Sequence, residues 1–399
     1  MHVVKLLHNL VKKSCVGIHA KKLNSLFIVV MGLTIGSKLS VAGIGRALYS
    51  KAKAKNKIKQ VDRLVGNVKL HAKRDKFYSF ACKMVIINSK QTPIIIDWSG
   101  LPNPNYFLLR AAVPTRGRSL TVYEEVHPKE KQNNHKIHKG FLIKLSKMIP
   151  QGCKPVIITD AGFHSPFFGE VEKLGWDFVG RIRNLTKYRF LSSKDWFSCK
   201  ELYKKASKIP KFIGEVILSK STPIKCFLFL FKGKKKGRIA KNKHGNRRQS
   251  KASKVCAKAN KEPWLLATSL TMGKKIAKKV VQFYKKRMQI EEGFRDIKNS
   301  RLGFSFEESL TYKPERFEML LLIAMLAILA VTILGKAGEQ SKLQYAYQAN
   351  TIRNRTVLSL FFLGCQIIKD KNVKFSTEEL LVALSALIST VNKWEDINA

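Results

Sequence analysis

The chain has 399 residues and carries 75 Lys and Arg against 27 Asp and Glu, a formal net charge of +48. Charge repulsion of this size opposes compaction unless a polyanion screens it, but 45% hydrophobic residues are enough to form large cores. These numbers exclude a fully disordered chain and favour a basic protein of two or three domains. Seven scattered cysteines without a CxxC pair exclude a secreted disulfide scaffold and give no zinc-site spacing.

Residues 1–90 are predicted to form a helical, basic region. Apolar residues recur at helical spacing in 39–48, which begins near the capping residue Ser40, and again in 55–70. Two short helices joined through glycine on a Lys-rich chain are typical of a helix-turn-helix DNA reader. An ordinary helical subdomain with a basic surface fits the same pattern equally well, so the sequence leaves both interpretations open.

From residue 92 the pattern changes to apolar runs separated by turn residues, which indicates β-strands. The predicted elements of this region, 91–183, are strands at 93–98, 106–113, 120–126, 154–160 and 176–182 and helices at 135–148 and 167–174. Three strands followed by helix, strand, helix and strand predict an α/β fold with a mixed sheet.

Residues 184–263 are predicted to be a β-rich basic insertion, with strands at 212–218 and 224–231. Between Lys232 and Lys261 the chain has 13 Lys or Arg and no acidic residue. Glycine, asparagine and serine are interspersed with these cations, which is typical of a flexible loop. We therefore predict a basic loop that contacts a polyanion.

The α/β region is predicted to resume at 264–305, where a strand at 264–270 precedes one long helix at 274–298. Residues 306–399 are predicted to be helical. Their most apolar stretch, Met319–Leu334, has 16 residues, fewer than the ~20 that a bilayer span needs. A core helix buried on all sides gives the same pattern and is favoured over a membrane segment.

Two aspartates each follow a predicted buried strand, Asp97 after Ile94–Ile96 and Asp160 after Val156–Thr159. A carboxylate at the end of a buried strand is costly unless it is paired, hydrogen-bonded or bound to metal. If the two strands lie side by side, the carboxylates meet and offer the oxygen ligands that suit Mg²⁺ in phosphodiester chemistry. The alternative, that each aspartate is only a turn residue, stays open.

A third carboxylate, Glu291, belongs to the predicted long helix. At about 100° per residue, Tyr284, Arg287, Glu291 and Lys298 fall on one stripe of about 60°, whereas Glu292 lies off it. A carboxylate between two cations on one face fits a metal ligand bordered by phosphate contacts. A surface network of ion pairs at i,i+4 spacing fits as well.

These residues resemble a known family. Tyr284-x2-Arg287-x3-Glu291-x6-Lys298 fits, without a gap, the Y-x2-R-x3-E-x6-K signature of insertion-sequence-four-family transposases. The resemblance implies an RNase H-like mixed-sheet catalytic core with a DDE triad, a β-rich insertion and flanking helical regions. Asp97 and Asp160 match the two aspartates of that triad, and Glu291 matches its glutamate.

The resemblance also implies cofactor, partners and activity. The family binds two Mg²⁺ ions at the triad, for which Mn²⁺ can substitute, and holds transposon-end DNA through residues that Tyr284, Arg287 and Lys298 match. Trp264 lies near the position of a tryptophan that stacks on a flipped base, although a tryptophan of the strand core is an equal alternative. The implied activity is cut-and-paste transposition through a DNA hairpin by a homodimer, in the bacterial cytoplasm at the nucleoid. The opposing hypothesis is a catalytically inactive or domesticated basic DNA-binding protein.

Overall fold

The computed structural model describes residues 2–87, 91–183, 186–233, 246, 250, 262–349, 351–352 and 354–392. Nearly all of the Lys-rich segment 232–261, for which we predicted a polyanion-binding loop, lies outside the described residues. The chain divides into two compact units: unit 1 combines Met1–Pro155 with Arg287–Ile397, and unit 2 is Val156–Lys286.

Unit 1 begins with six helices. They are α1 (His2–Ser14), α2 (Ala20–Gly36), α3 (Val41–Ala47), α4 (Ala54–Val65), α5 (Val68–His71) and α6 (Arg74–Val85). Ser40 caps α3 as predicted, because its side-chain oxygen accepts a hydrogen bond of 3.1 Å from the backbone N–H of Gly43. A methyl group on Gly45 would overlap the backbone of Ile58, so this glycine lets α3 and α4 approach closely. The helical character of the region is confirmed.

The first three predicted strands form an antiparallel meander. Its strands are β1 (Pro93–Gly100), β2 (Tyr106–Pro114) and β3 (Ser119–Pro128), and α7 (His135–Met148) comes next. Asp97 of β1 pairs in register with Arg110 of β2, and Arg110 pairs with Glu124 of β3. These three side chains therefore share one face of the meander. The buried Arg110 guanidinium is neutralised by Glu124, with Nε and Oε2 separated by 2.7 Å.

The rest of unit 1 is helical. Its helices are α11 (Met288–Lys298), α12 (Pro314–Gln340), α13 (Gln344–Tyr347), α14 (Leu360–Lys369) and α15 (Thr377–Asn392). Helix α11 packs on all three strands of the meander, and α12 packs on β3 and on the helices α1, α2, α14 and α15.

Helix α12 is the centre of unit 1. Within the described residues, α12 is the only helix that by itself is long and apolar enough to cross a membrane. The helices α2 and α3, which are bent relative to each other, meet the same criterion only when they are counted as one span. The most apolar window of α12 is 89% buried inside the protein, which confirms the prediction of a buried helix at Met319–Leu334. A helix that is apolar all round and covered on every side contributes its whole circumference to the core.

Unit 2 is built from seven strands and three helices within the described residues. Its elements are β4 (Val156–Thr159), α8 (Ser165–Lys173), β5 (Asp177–Ile182), β6 (Lys187–Phe190), β7 (Phe197–Ser198), α9 (Cys199–Leu202), β8 (Lys211–Leu218), β9 (Ile224–Phe231), β10 (Trp264–Thr268) and α10 (Ile276–Lys286). The strands are ordered β4-β5-β10-β9-β8-β6-β7, with β4 and β5 parallel and the other neighbours antiparallel. The mixed α/β class is confirmed. The short strands β6 and β7 were not predicted.

The prediction of one long helix at 274–298 was wrong. The structure has two helices, α10 and α11, with the helical hydrogen-bonding pattern interrupted at Arg287. Arg287 keeps helical backbone angles, with φ −48° and ψ −38°, so periodicity alone gives no sign of the break. The division between the two units falls at the same point, between Lys286 and Arg287.

Glycines permit the closest helix contact in unit 1. A methyl group on Gly335 of α12 would overlap the carbonyl oxygen of Leu360, and one on Gly364 of α14 would overlap the carbonyl oxygen of Val331. We expect Gly335→Ala to lower the free energy of unfolding by about 2 kcal/mol or more, since the backbones must separate to make room. Denaturant unfolding followed by circular dichroism measures the change.

Gly140 of α7 is the matched control, because no atom lies within 4 Å of an added methyl group there. Gly140→Ala should raise the unfolding free energy by about 0.5–1 kcal/mol, as expected for alanine in a helix interior. Equal effects of the two substitutions would show that the α12–α14 contact does not depend on its glycines.

Candidate functional site

Asp97 lies within β1 rather than at its end, directly after three fully buried isoleucines and before three further residues of the strand. Its carboxylate is buried, with 9% of the residue exposed, and it accepts a 2.8 Å hydrogen bond from the backbone N–H of Trp98. Arg287 supplies a cation, with Nη1 at 3.3 Å from Asp97 Oδ2. The cost of burying this charge is thus met by pairing and hydrogen bonding, as the sequence argument required.

Glu291 lies in the first turn of α11, where the helix dipole favours a negative charge. Nη2 of Arg287 donates to Oε1 of Glu291, so one guanidinium joins the carboxylates of Asp97 and Glu291. The Glu291 side chain remains 42% exposed, which leaves oxygen atoms accessible to solvent. The i,i+4 ion pair considered from the sequence is present, but its arginine also reaches a buried aspartate far away in the chain.

Lys298, at the end of α11, fastens the helix to the same strand. Its Nζ donates to Oγ of Ser99 at 3.0 Å and to the carbonyl oxygen of Gly100. Burial lowers the pKa of Lys298, while the nearby Glu307 acts in the opposite direction. In this structure Lys298 thus connects α11 to β1. The phosphate contact that the resemblance implied for Lys298 stays a prediction.

Asp160 belongs to unit 2 and directly follows β4. Its Oδ1 accepts a hydrogen bond of 2.8 Å from the backbone N–H of Gly162. This is the geometry of an Asx turn, so the turn role that the sequence left open is present. One carboxylate oxygen engages the turn, and the residue is half-buried rather than enclosed.

Within unit 1, the structure thus places the carboxylates of Asp97 and Glu291 against the same guanidinium, that of Arg287. Asp160 belongs to unit 2. Among the residues that the structure describes, no group of three or more His, Cys, Asp or Glu side chains is arranged to hold a metal ion. The pair at Arg287 offers only oxygen donors, which is the donor set that hard divalent cations such as Mg²⁺ take in proteins. The chemistry of the pair therefore fits a divalent cation.

Trp264 begins β10 and is half-buried in unit 2. Its ring lies 4.8 Å from that of Tyr284 in an edge-on arrangement and 5.7 Å from that of Phe231. Tyr284 of α10 is buried, with 3% exposed, so it acts here as a packing partner of Trp264. Because α10 and α11 are separate helices, the predicted single stripe from Tyr284 to Lys298 does not describe one continuous helix face.

Two cations near this tryptophan were missed from the sequence. Arg181 lies on β5 opposite Leu266 of β10, which puts it on the same sheet face as Trp264, and Arg183 directly follows the last residue of β5. Arg183 donates to Glu262 at 2.6 Å and 2.9 Å. Within the described part of the chain, Nε and Nη2 of Arg181 are buried without a hydrogen-bond partner, and its nearest carboxylate oxygen belongs to Glu262 at 3.9 Å. The available signal was the spacing of these arginines, two residues apart at the end of the predicted strand 176–182.

Asp296 of α11 forms an ion pair with Arg118, which precedes β3. Sequence reasoning did not identify this pair. Arg118 Nε lies 2.7 Å from Asp296 Oδ2, and Asp296 is buried. Burial raises the pKa of Asp296 to about 6, although the nearby Arg118 acts to lower it. By helical spacing Asp296 lies off the face of Glu291, and spacing alone does not indicate its partner.

The shared arginine makes a testable prediction about stability. Arg287→Ala removes one cation from the buried Asp97 carboxylate, and we expect it to lower the free energy of unfolding by about 2–4 kcal/mol. The double variant Arg287→Ala with Asp97→Asn should lose less unfolding free energy than the sum of the two single changes. The reason is that the charge at position 97 is then removed together with the guanidinium that pairs with it. Denaturant unfolding of the four proteins gives the coupling; strict additivity would contradict an Arg287–Asp97 interaction.

Comparison with known proteins identifies the family of the chain. Residues 88–330 match the model of a protein family described as the transposase DDE domain, and this stretch includes Asp97, Asp160 and Glu291. No curated protein matches the chain. The matched stretch is more than half of the chain, and the protein belongs to the family of transposases with a DDE domain.

Proposed function

We propose that the chain is the cut-and-paste transposase of a bacterial insertion sequence, of the insertion-sequence-four family, with an RNase H-like catalytic core. The observation that carries the proposal is the single guanidinium that joins Asp97 to Glu291 inside a chain with a DDE domain. The segments 158–168 and 284–298 support the subfamily, since they resemble the transposase of the tetracycline-resistance composite transposon of enteric bacteria.

In the proposed site, Asp97, Asp160 and Glu291 hold two divalent cations, Mg²⁺ or Mn²⁺. When bound, such ions activate an attacking oxygen and stabilise a leaving oxygen in phosphodiester displacement. The contribution of the chain is positional: the buried β1 fixes Asp97, and α11 presents Glu291 from its first turn. Arg287 pairs with both carboxylates in this structure, and its guanidinium would be available to a DNA phosphate if divalent cations neutralised the two acidic groups.

Each proposed reaction step is an in-line attack of oxygen on phosphorus, so one site serves hydrolysis, hairpin formation and strand transfer. Water first nicks the transposon end and frees a 3′-hydroxyl. That hydroxyl attacks the opposite strand to give a hairpin, which is hydrolysed before the 3′-hydroxyl attacks target DNA. Two protomers pairing two ends at the nucleoid in the cytoplasm complete the proposal.

The net charge of +48 supports duplex DNA as the substrate, because neutralising phosphates releases counterions. Arg181 has buried N–H groups without a hydrogen-bond partner in the described residues, and it lies on the same sheet face as Trp264, which contacts Tyr284. An aromatic platform next to an arginine suits a displaced base and its phosphate. We therefore assign Trp264, Tyr284, Arg181, Arg287 and Lys298 to the binding of transposon-end DNA.

Alanine at Asp97, Asp160 or Glu291 tests the catalytic assignment. Each substitution should reduce cleavage of DNA carrying the element's own ends by at least about 10³-fold in Mg²⁺, while end binding stays within a few-fold. Gel assays of nicks, hairpins and joined products measure the reaction, and mobility shift measures binding.

Glu308→Ala is the control, since Glu308 is an exposed carboxylate of unit 1 that pairs with Lys38 rather than with Arg287. It should retain most cleavage activity. Cleavage near the wild-type rate by any of the three alanine variants would show that its carboxylate is misassigned. Binding without cleavage by the wild-type protein would favour the alternative of an inactive DNA-binding protein.

Salt dependence tests the phosphate contacts. Arg181→Gln, Arg287→Gln and Lys298→Gln should each flatten the slope of log binding constant against log salt by about one, because each removes one displaced counterion. Lys173→Gln is the control, since Lys173 is exposed and already paired with Glu170. A slope that does not change on loss of one of the three cations would remove that residue from the DNA-binding surface.

A further inference from the structure

The turn between β2 and β3 contacts α11 on a flank distinct from the Glu291 carboxylate. Arg118 Nε donates to Oδ2 of Asp296 at 2.7 Å, and its Nη1 lies 3.7 Å from Oε2 of Glu292. Ser119, the next residue, donates from Oγ to the carbonyl oxygen of Gln289 at 3.3 Å. Three polar contacts from two consecutive residues therefore reach the side and backbone of the helix that carries Glu291.

The turn itself is rigidly built. The backbone N–H and the hydroxyl of Thr115 both donate to the carbonyl oxygen of Arg118, at 2.7 Å and 2.9 Å. Gly117 has a φ of +81°, a conformation that side-chain-bearing residues rarely adopt. A closed turn of this kind holds the Arg118 backbone in one position relative to β2 and β3.

The contacts of Arg118 lie on a different side of α11 from Glu291. At about 100° per residue, Glu292 and Asp296 lie about 100° and 140° from Glu291, whereas Lys298 lies within about 20° of it. Lys298 and Arg287 tie the Glu291 side to β1, and Arg118 ties the other flank to the start of β3. Ties on two sides of a helix oppose its rotation about the long axis.

Rotation of α11 would displace Glu291 directly. A side-chain group about 6 Å from the helix axis moves by about 1 Å when the helix turns by 10°. Misplacement by about 1 Å can cost roughly 100-fold in rate at a reaction centre. A device that fixes the rotation of this helix therefore has a catalytic consequence even though it lies outside the Asp97–Arg287–Glu291 group.

We propose that Arg118 is a positioning residue, which fixes the rotation of α11 through Asp296 and so aims the Glu291 carboxylate. The inference rests on the proposed function, because it takes Glu291 as a metal ligand. Stability alone is a weak reason for such a pair, since well-packed apolar residues often stabilise a protein as well as a buried ion pair does. The raised pKa of Asp296 agrees, because it shows that burial outweighs the attraction of Arg118 for the charged form.

The test compares Arg118→Gln and Arg118→Lys in the full chain with DNA carrying the element's own ends. At saturating DNA, Arg118→Gln should cleave about 10- to 100-fold more slowly and need several-fold more Mg²⁺ for half-maximal rate. Direct titration with Mn²⁺, followed by electron paramagnetic resonance, should show several-fold weaker binding. Arg118→Lys keeps a cation within reach of Asp296 and should recover part of each loss, while end binding stays unchanged in both variants.

Arg116→Gln is the matched control, because Arg116 lies in the same turn but is 76% exposed and pairs with Glu339 instead of α11. It should behave as wild type. If Arg118→Gln does not fold, Asp296→Asn takes its place in the same comparison. Wild-type cleavage, Mg²⁺ dependence and Mn²⁺ affinity in a folded Arg118→Gln or Asp296→Asn variant would overturn the positioning role.

Glu291→Ala separates failure of this inference from failure of the proposed function. If Glu291→Ala is inactive and Arg118→Gln is normal, only the positioning role is wrong. If Glu291→Ala cleaves normally, the assignment of Glu291 is wrong and the positioning role falls with it.

Discussion

The arrangement of unit 1 depends on one constraint, the neutralisation of a carboxylate that is buried within a strand, directly after an apolar run. Asp97 cannot lie there without a counter-charge, and the counter-charge is Arg287, which enters from the helix that carries Glu291. One ion-paired group therefore holds together a strand from the first third of the chain and a helix from the last third. Lys298 and Arg118 add further polar contacts along α11, one to Ser99 and the other to Asp296. Polar contacts as well as apolar packing therefore set the orientation of this helix.

Much of this could be predicted from the sequence because its signals are local. The isoleucines before Asp97 specify a buried strand, the turn residues separate the three strands of the meander, and the uninterrupted apolar stretch of α12 specifies a buried helix. The candidate carboxylates were identified for the same reason, since each stands at a recognisable place relative to its strand or helix. The family to which the chain belongs agrees with the identification of the protein as a transposase.

The parts that could not be predicted depend on contacts between distant residues. The interruption at Arg287 leaves no trace in periodicity, because its backbone angles stay helical. Arg118 and Asp296 are 178 positions apart, and nothing in either neighbourhood indicates the other. Arg181 looked like one more cation among 75 Lys and Arg, and only its burial without a hydrogen-bond partner in the described residues distinguishes it.

The discontinuity of unit 1 has a consequence for synthesis on the ribosome. Its first part ends at Pro155, but the core helix α12 begins at Pro314, beyond the whole of unit 2. At about 5–20 residues per second, translation reaches α12 roughly 15–55 s after α2 is complete and roughly 10–40 s after β3 is complete. During that interval the nascent chain exposes surfaces that chaperones recognise, and a product truncated before α12 would be left without the centre of this unit.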